Sequence, residues 1–210
     1  MLWTLLSAAL AHAPVPETLA SLDLSVAAEA RRAAHLRLHQ GEAEEALKAL
    51  HPSDGTVEAE LLRAEAELGL RRTEAARVRL DGLLTTPQLS ERARVFDLRA
   101  ALQTDATAAW NDRAQAVLLE PTPDRALAAA AAAPHPSAAL PLLAHSRAVL
   151  GSSVSLDQTL ARTWLALDAP EAALELLEGA TGASTQGRLL QALAHEQAGR
   201  PTEAHALRTE

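Results

Sequence analysis

His35 and His39 stand four residues apart in a run with helical spacing, so both imidazoles fall on one helix face. Such a pair can share a metal ion, but a zinc site needs a third protein ligand, and usually a general base for catalysis. The stretch "HEQAG" at 195–199 has a His-Glu pair and lacks the second histidine of an H-E-x-x-H motif. His145, His195 and His205 have no partner at a useful spacing. Glu44/Glu45 and Glu58/Glu60 are adjacent or two apart, so their carboxylates do not converge on one helix face and read as solubilising charge. Ser152 and Ser153 in "GSSVS" suit helix capping better than nucleophilic attack. There is no glycine-rich phosphate loop and no G-x-S-x-G. The absence of cysteine excludes disulfides, thiolate ligands and thiol nucleophiles. The expectation is a non-enzyme without cofactor or metal. A metal-binding or enzymatic protein built on His35/His39 is the minor alternative.

The remaining composition describes a scaffold. Hydrophobic residues make up 48% of the 210, with one Phe and no Tyr. Ala and Leu dominate, and both favour helix. Strands draw on β-branched and aromatic residues, which are sparse here. The chain therefore reads as all-α. Net charge is −8. The best basic stretch, 58–99, holds eight basic and eight acidic residues, so it lacks the stripe that nucleic acid requires.

Residues 1–13 read as a secretory signal. Leu2–Leu10 is apolar, and two A-x-A patterns follow, Ala9-Leu10-Ala11 and Ala11-His12-Ala13. The run falls far short of the roughly 20 residues a membrane helix needs. Residues 14–25, with Pro14 and Pro16, read as a linker or short helix. The alternative is a cytosolic protein in which 2–13 is an uncleaved helix packed on the rest.

Residues 26–210 repeat. Small-residue pairs open an apolar helix at Glu45-Ala46, Glu74-Ala75, Thr107-Ala108, Ser137-Ala138, Glu171-Ala172 and Glu203-Ala204. A spacing in the low thirties marks helix–turn–helix repeats. Each pair follows another helical stretch: 26–39, 56–69, 90–102, 123–133, 155–167 and 184–198. That makes about twelve helices in six antiparallel hairpins. Ser90 and Ser184 are expected as N-caps, and Ser155 with Gln158 as a capping box. Pro123, Pro170 and Pro201 suit first helical positions, and Gly41, Gly151 and Gly199 suit positive φ past helix ends. Pro87 and Pro121 are expected to end second helices, while Pro141 should delay or kink its own. The run Ala128–Ala133 offers little volume and is expected to pack weakly.

This pattern resembles the tetratricopeptide repeat (TPR) and TPR-like families. Its carriers are the "G-x-x-x-E-A" turns at Gly41–Ala46 and Gly199–Ala204, the Ala109, Ala116, Pro121 spacing, and the Leu160, Ala161, Trp164, Ala173 spacing. The resemblance implies a superhelical array of hairpins, an α-solenoid. Its implied role is a non-catalytic scaffold that holds a peptide or partner protein in a concave groove. With the export signal, that role lies in the bacterial cell envelope. Residues at or near inward positions of the first helices are Arg37, Arg63, Phe96, Arg99, Trp164 and His195. Trp110 and Trp164 serve either core packing or, as the rival reading, a groove anchor.

Overall fold

The computed structural model describes residues 24, 26–178 and 180–209. The expectations for 1–13, and for nearly all of 14–25, lie outside the described residues. The described residues form helices and no strand. Contacts divide the chain into two compact units, the first ending at Asp112 and the second starting at Arg113.

The first unit holds α1 (Ala27–His39), α2 (Ala43–Ala49), α3 (Val57–Gly69), α4 (Thr73–Gly82), α5 (Leu89–Leu102) and the start of α6 (Ala106–Leu119). The second holds the rest of α6, then α7 (Pro123–Ala132), α8 (Pro136–Leu150), α9 (Val154–Ala166), α10 (Pro170–Leu176), α11 (Ala180–Ala183), α12 (Thr185–Gln197) and α13 (Pro201–Thr209). Every first helix of a hairpin lies within one residue of its expected span. The single turn α11 is an element that the sequence pattern does not mark.

Four hairpins close with the same turn. The residues after α1, α3, α9 and α12 reach positive φ at Gly41, Arg71, Asp168 and Gly199. In each, the following N–H bonds back five residues: Glu42 to the Arg37 carbonyl, Arg72 to Glu67, Ala169 to Trp164, Arg200 to His195. This is a Schellman closure, which satisfies carbonyls the helix end leaves open. Five residues past each positive-φ position stands a buried alanine: Ala46, Ala76, Ala173 and Ala204. Ala109 and Ala139 hold the matching places in the other two hairpins. The expected pair register therefore needs a correction. In four of the six hairpins the buried small residue comes one position later, and Ala75 is exposed.

Several caps also differ. Ser184 accepts from the Gly187 N–H, as expected. Ser90 lies inside α5, because the helix begins at Leu89 and its N-cap, Gln88, stands two residues before Ser90. Ser155 is likewise inside α9. Ser153 caps that helix through the Leu156 N–H, and Gln158 reaches Ser184 Oγ at 2.7 Å instead of closing a box. Pro121 follows α6 by two residues, whereas Pro87 stands nearer the start of α5 than the end of α4. Helix α8 starts at Pro136 and continues through the exposed Pro141, so its start is not delayed.

Each unit stacks because its first helices have two buried faces. Helix α3 gives Ala59, Leu62 and Ala66 to a cluster with Ala34, Leu38, Ala46 and Leu50. Its other face gives Leu61 and Ala64 to a cluster with Ala76, Leu80, Val95 and Leu98. In the second unit α9 plays the same part. Leu156 and Leu160 pack with Ala126, Ala139 and Leu143, while Ala161 and Leu165 pack with Ala173, Leu177, Leu190 and Ala194. A hairpin stripped of its neighbours would expose one of these faces to water, so stability resides in stacking.

Candidate partner-binding surfaces

In the first unit the first helices exchange charge. Arg31 on α1 pairs with Glu58 on α3 at 2.9 Å, and Glu65 on α3 pairs with Arg94 on α5 at 2.6 Å. Arg31 also meets the buried Asp54 carboxylate at 2.5 Å. Burial would raise the Asp54 pKa, but hydrogen bonds from Thr56 and Arg31 outweigh it and hold the carboxyl below its usual value. Arg79 on α4 spans Glu60 and Glu67, and these bonds raise its pKa. Sequence inspection does not single out this network, because each partner lies far away along the chain.

His35 and His39 sit beside these pairs, their ring centroids 4.5 Å apart and edge to face. Burial lowers the His35 pKa, and the charges of His39 and Arg94 lower it further against the opposing pull of Glu65 and Glu58. Among the described residues, no three His, Asp or Glu side chains are placed to hold a metal ion.

The six residues named as groove candidates fall in different surroundings. Arg37 is half-buried and pairs with Glu42 across the first turn. Arg63 donates to the carbonyls of Asp54 and His51, both at 2.7 Å, and so clamps the loop after α2. Phe96 and Arg99 come together on α5, with the guanidinium carbon 5.8 Å from the ring centre. Arg99 also approaches Asp81 at 3.4 Å and Asp112 at 3.8 Å. With Arg77, Leu102 and Gln103 it lines an open cavity of about 120 Å³. In the second unit Trp164 packs against both apolar clusters. His195 is half-buried, and its Nδ1 has no hydrogen-bond partner among the described residues.

The second unit also exposes a stripe that sequence reading misses. On α9 Ser155, Arg162 and Ala166 are exposed and spaced for one face, while Val154, exposed at the helix start, lies off it. On α12 they include Leu189 and Leu193, 53% and 41% exposed. Arg162 makes no ion pair or side-chain hydrogen bond among the described residues. An i, i+4 leucine pair in an apolar helix reads as core, so only the packing of α12 shows which leucines face out.

No protein-family model and no curated protein matches the chain. Among solved structures it is similar to a thermophilic TPR protein of Thermus thermophilus, at 17% identity and a TM-score of 0.45, over 88% of this chain and 98% of that one.

Proposed function

We propose that this chain is a non-catalytic scaffold that binds a protein or peptide segment along the exposed stripes of its first helices. The observation that carries the reading is the double burial of α3 and α9. Their flanks are committed to neighbours, and the remaining stripe is a surface that stacking builds but does not use. Arg37, Arg63, Phe96, Arg99, Trp164 and His195 are further proposed contacts on these helices, Trp164 and His195 standing on faces away from the α9 and α12 stripes. The Phe96–Arg99 pair offers an apolar plate and a cation together. The scaffold acts outside the cytoplasm, a reading supported by the apolar run and A-x-A patterns of residues 1–13.

Cross-linking in the expressing cell, followed by identification of the attached peptide and its attachment site, tests the binding role. Cross-links confined to second helices would refute it. Sequencing the mature N-terminus tests export separately, and an intact Met1 would sink that part alone.

A further inference from the structure

Resting on the scaffold reading above, we propose that the stripe shared by α9 and α12 docks a peptide segment bearing two apolar side chains and an adjacent carboxylate. The two helices run parallel. Gln158 near the start of α9 reaches Ser184 at the start of α12, and the Gln197 side chain at the end of α12 lies 3.5 Å from the Leu165 carbonyl. Ala161 and Leu165 share a cluster with Leu190 and Ala194, which places the level of Arg162 beside that of Leu189 and Leu193.

Helical geometry then fixes the side on which each stripe opens. At 100° per residue, Arg162 and its stripe lie about a quarter turn from the face of α9 that meets α12. Leu189 and Leu193 lie about a quarter turn from the face of α12 that meets α9, in the opposite sense. For parallel helices, opposite senses mean the same side. Arg162 and the two leucines therefore belong to one surface.

Its chemistry is specific. Leu189 and Leu193 are spaced one turn apart and leave apolar area in water, which an apolar pair on a partner would cover. Arg162 lies beside them and, among the described residues, has no carboxylate partner. The corresponding faces of the first unit differ, because there Arg31–Glu58 and Glu65–Arg94 already pair their charges across the helices. An acidic group next to the apolar pair supplies what Arg162 lacks, and a basic one is repelled.

The test pans the full chain against a phage-displayed library of random peptides and measures binding of the synthetic consensus by calorimetry. The expected consensus has two apolar residues within one helical turn or strand repeat and an Asp or Glu beside them. Arg162→Glu and Leu193→Gln should each weaken it about ten-fold or more, with unchanged circular dichroism, and Arg162→Lys should retain most of the affinity. Selected peptides without an acidic residue, or affinity indifferent to these variants, would overturn the proposal. Binding lost instead through Phe96→Ala or Arg99→Ala would overturn it and leave the scaffold role standing. No enrichment at all would remove both. Concentration-dependent dimerisation abolished by Leu193→Gln would give the stripe to a second copy of this chain and also overturn it.

Discussion

Gly182 has no room for a methyl group. A Cβ there would lie 2.0 Å from the Leu177 carbonyl oxygen and 2.3 Å from Gln191 Nε2, atoms that are themselves joined by a 2.8 Å hydrogen bond. Gly182→Ala should destabilise the protein by about 1–3 kcal/mol, measured by denaturant unfolding, and an unchanged midpoint would show that α11 yields without cost. The positive-φ turns argue in the other direction. Gly41 has open space around it, so Gly41→Ala meets backbone strain alone, about 1 kcal/mol. Arg71 already bears that strain at φ 60°. Arg71→Gly should therefore stabilise by about 0.5 kcal/mol once the greater freedom of unfolded glycine is subtracted. Asp168→Gly should gain less, because aspartate tolerates this region better. Ser146 presents a third case. It is fully buried in α8 and its hydroxyl has no hydrogen-bond partner among the described residues. Ser146→Ala removes an uncompensated polar group and should raise stability by about 1 kcal/mol. A fall in thermal midpoint would reveal a partner for that hydroxyl.

At the scale of elements, helix positions were legible because Ala/Leu periodicity and Gly/Pro breaks mark them locally. The Schellman turns were half legible. Gly41 and Gly199 announce positive φ, but Arg71 and Asp168 occupy the same geometry without a glycine. The one-residue slip of the buried alanines has the same origin. Ala-Ala steps such as Ala75-Ala76 look alike in sequence, and only the distance from the turn decides which alanine faces inward. Cross-helix charges were not legible, since Glu65–Arg94 depends on how α3 and α5 stack. That stacking has a pH dependence. His35 on α1 faces His39 on its own helix, Glu58 and Glu65 on α3, and Arg94 on α5. Its folded pKa lies below the unfolded value of about 6.5. The unfolded chain therefore takes up the proton more readily, and folding stability falls as pH drops through that value toward the folded pKa. The Asp54 carboxyl, also depressed, contributes stability above about pH 4 that is lost in a more acidic window. His35→Gln should flatten the fall in thermal midpoint between pH 7 and 5 while leaving the steeper acid loss in place. Parallel profiles for the two proteins would show that His35 does not couple to folding.

For the whole molecule, a stack of hairpins need not be uniformly stable, since each unit draws on its own burial and on its neighbours. Helix α7 fills its fully buried positions only with Ala126 and Ala129, whereas α9 buries Leu156, Leu160 and Leu165. Each leucine removes far more apolar surface from water than an alanine, at roughly 25 cal/mol per Å². The slim helix expected from Ala128–Ala133 is therefore the most thinly packed first helix of the second unit, sharing its cluster with the Leu143 and Leu156 side chains of its neighbours. The corner beyond it is built differently. Asp157 is buried and takes a 2.7 Å bond from Arg147 together with one from Ser152, fixing the link from α8 to α9. Native-state hydrogen exchange should show the amides of 123–132 opening at lower free energy than those of 154–166. Ala129→Gly should widen the gap, by adding backbone freedom to a helix with little packing to oppose it. Equal protection across the two helices would mean that the second unit opens as one cooperative block, with stacking strong enough to hide the poverty of its alanine core.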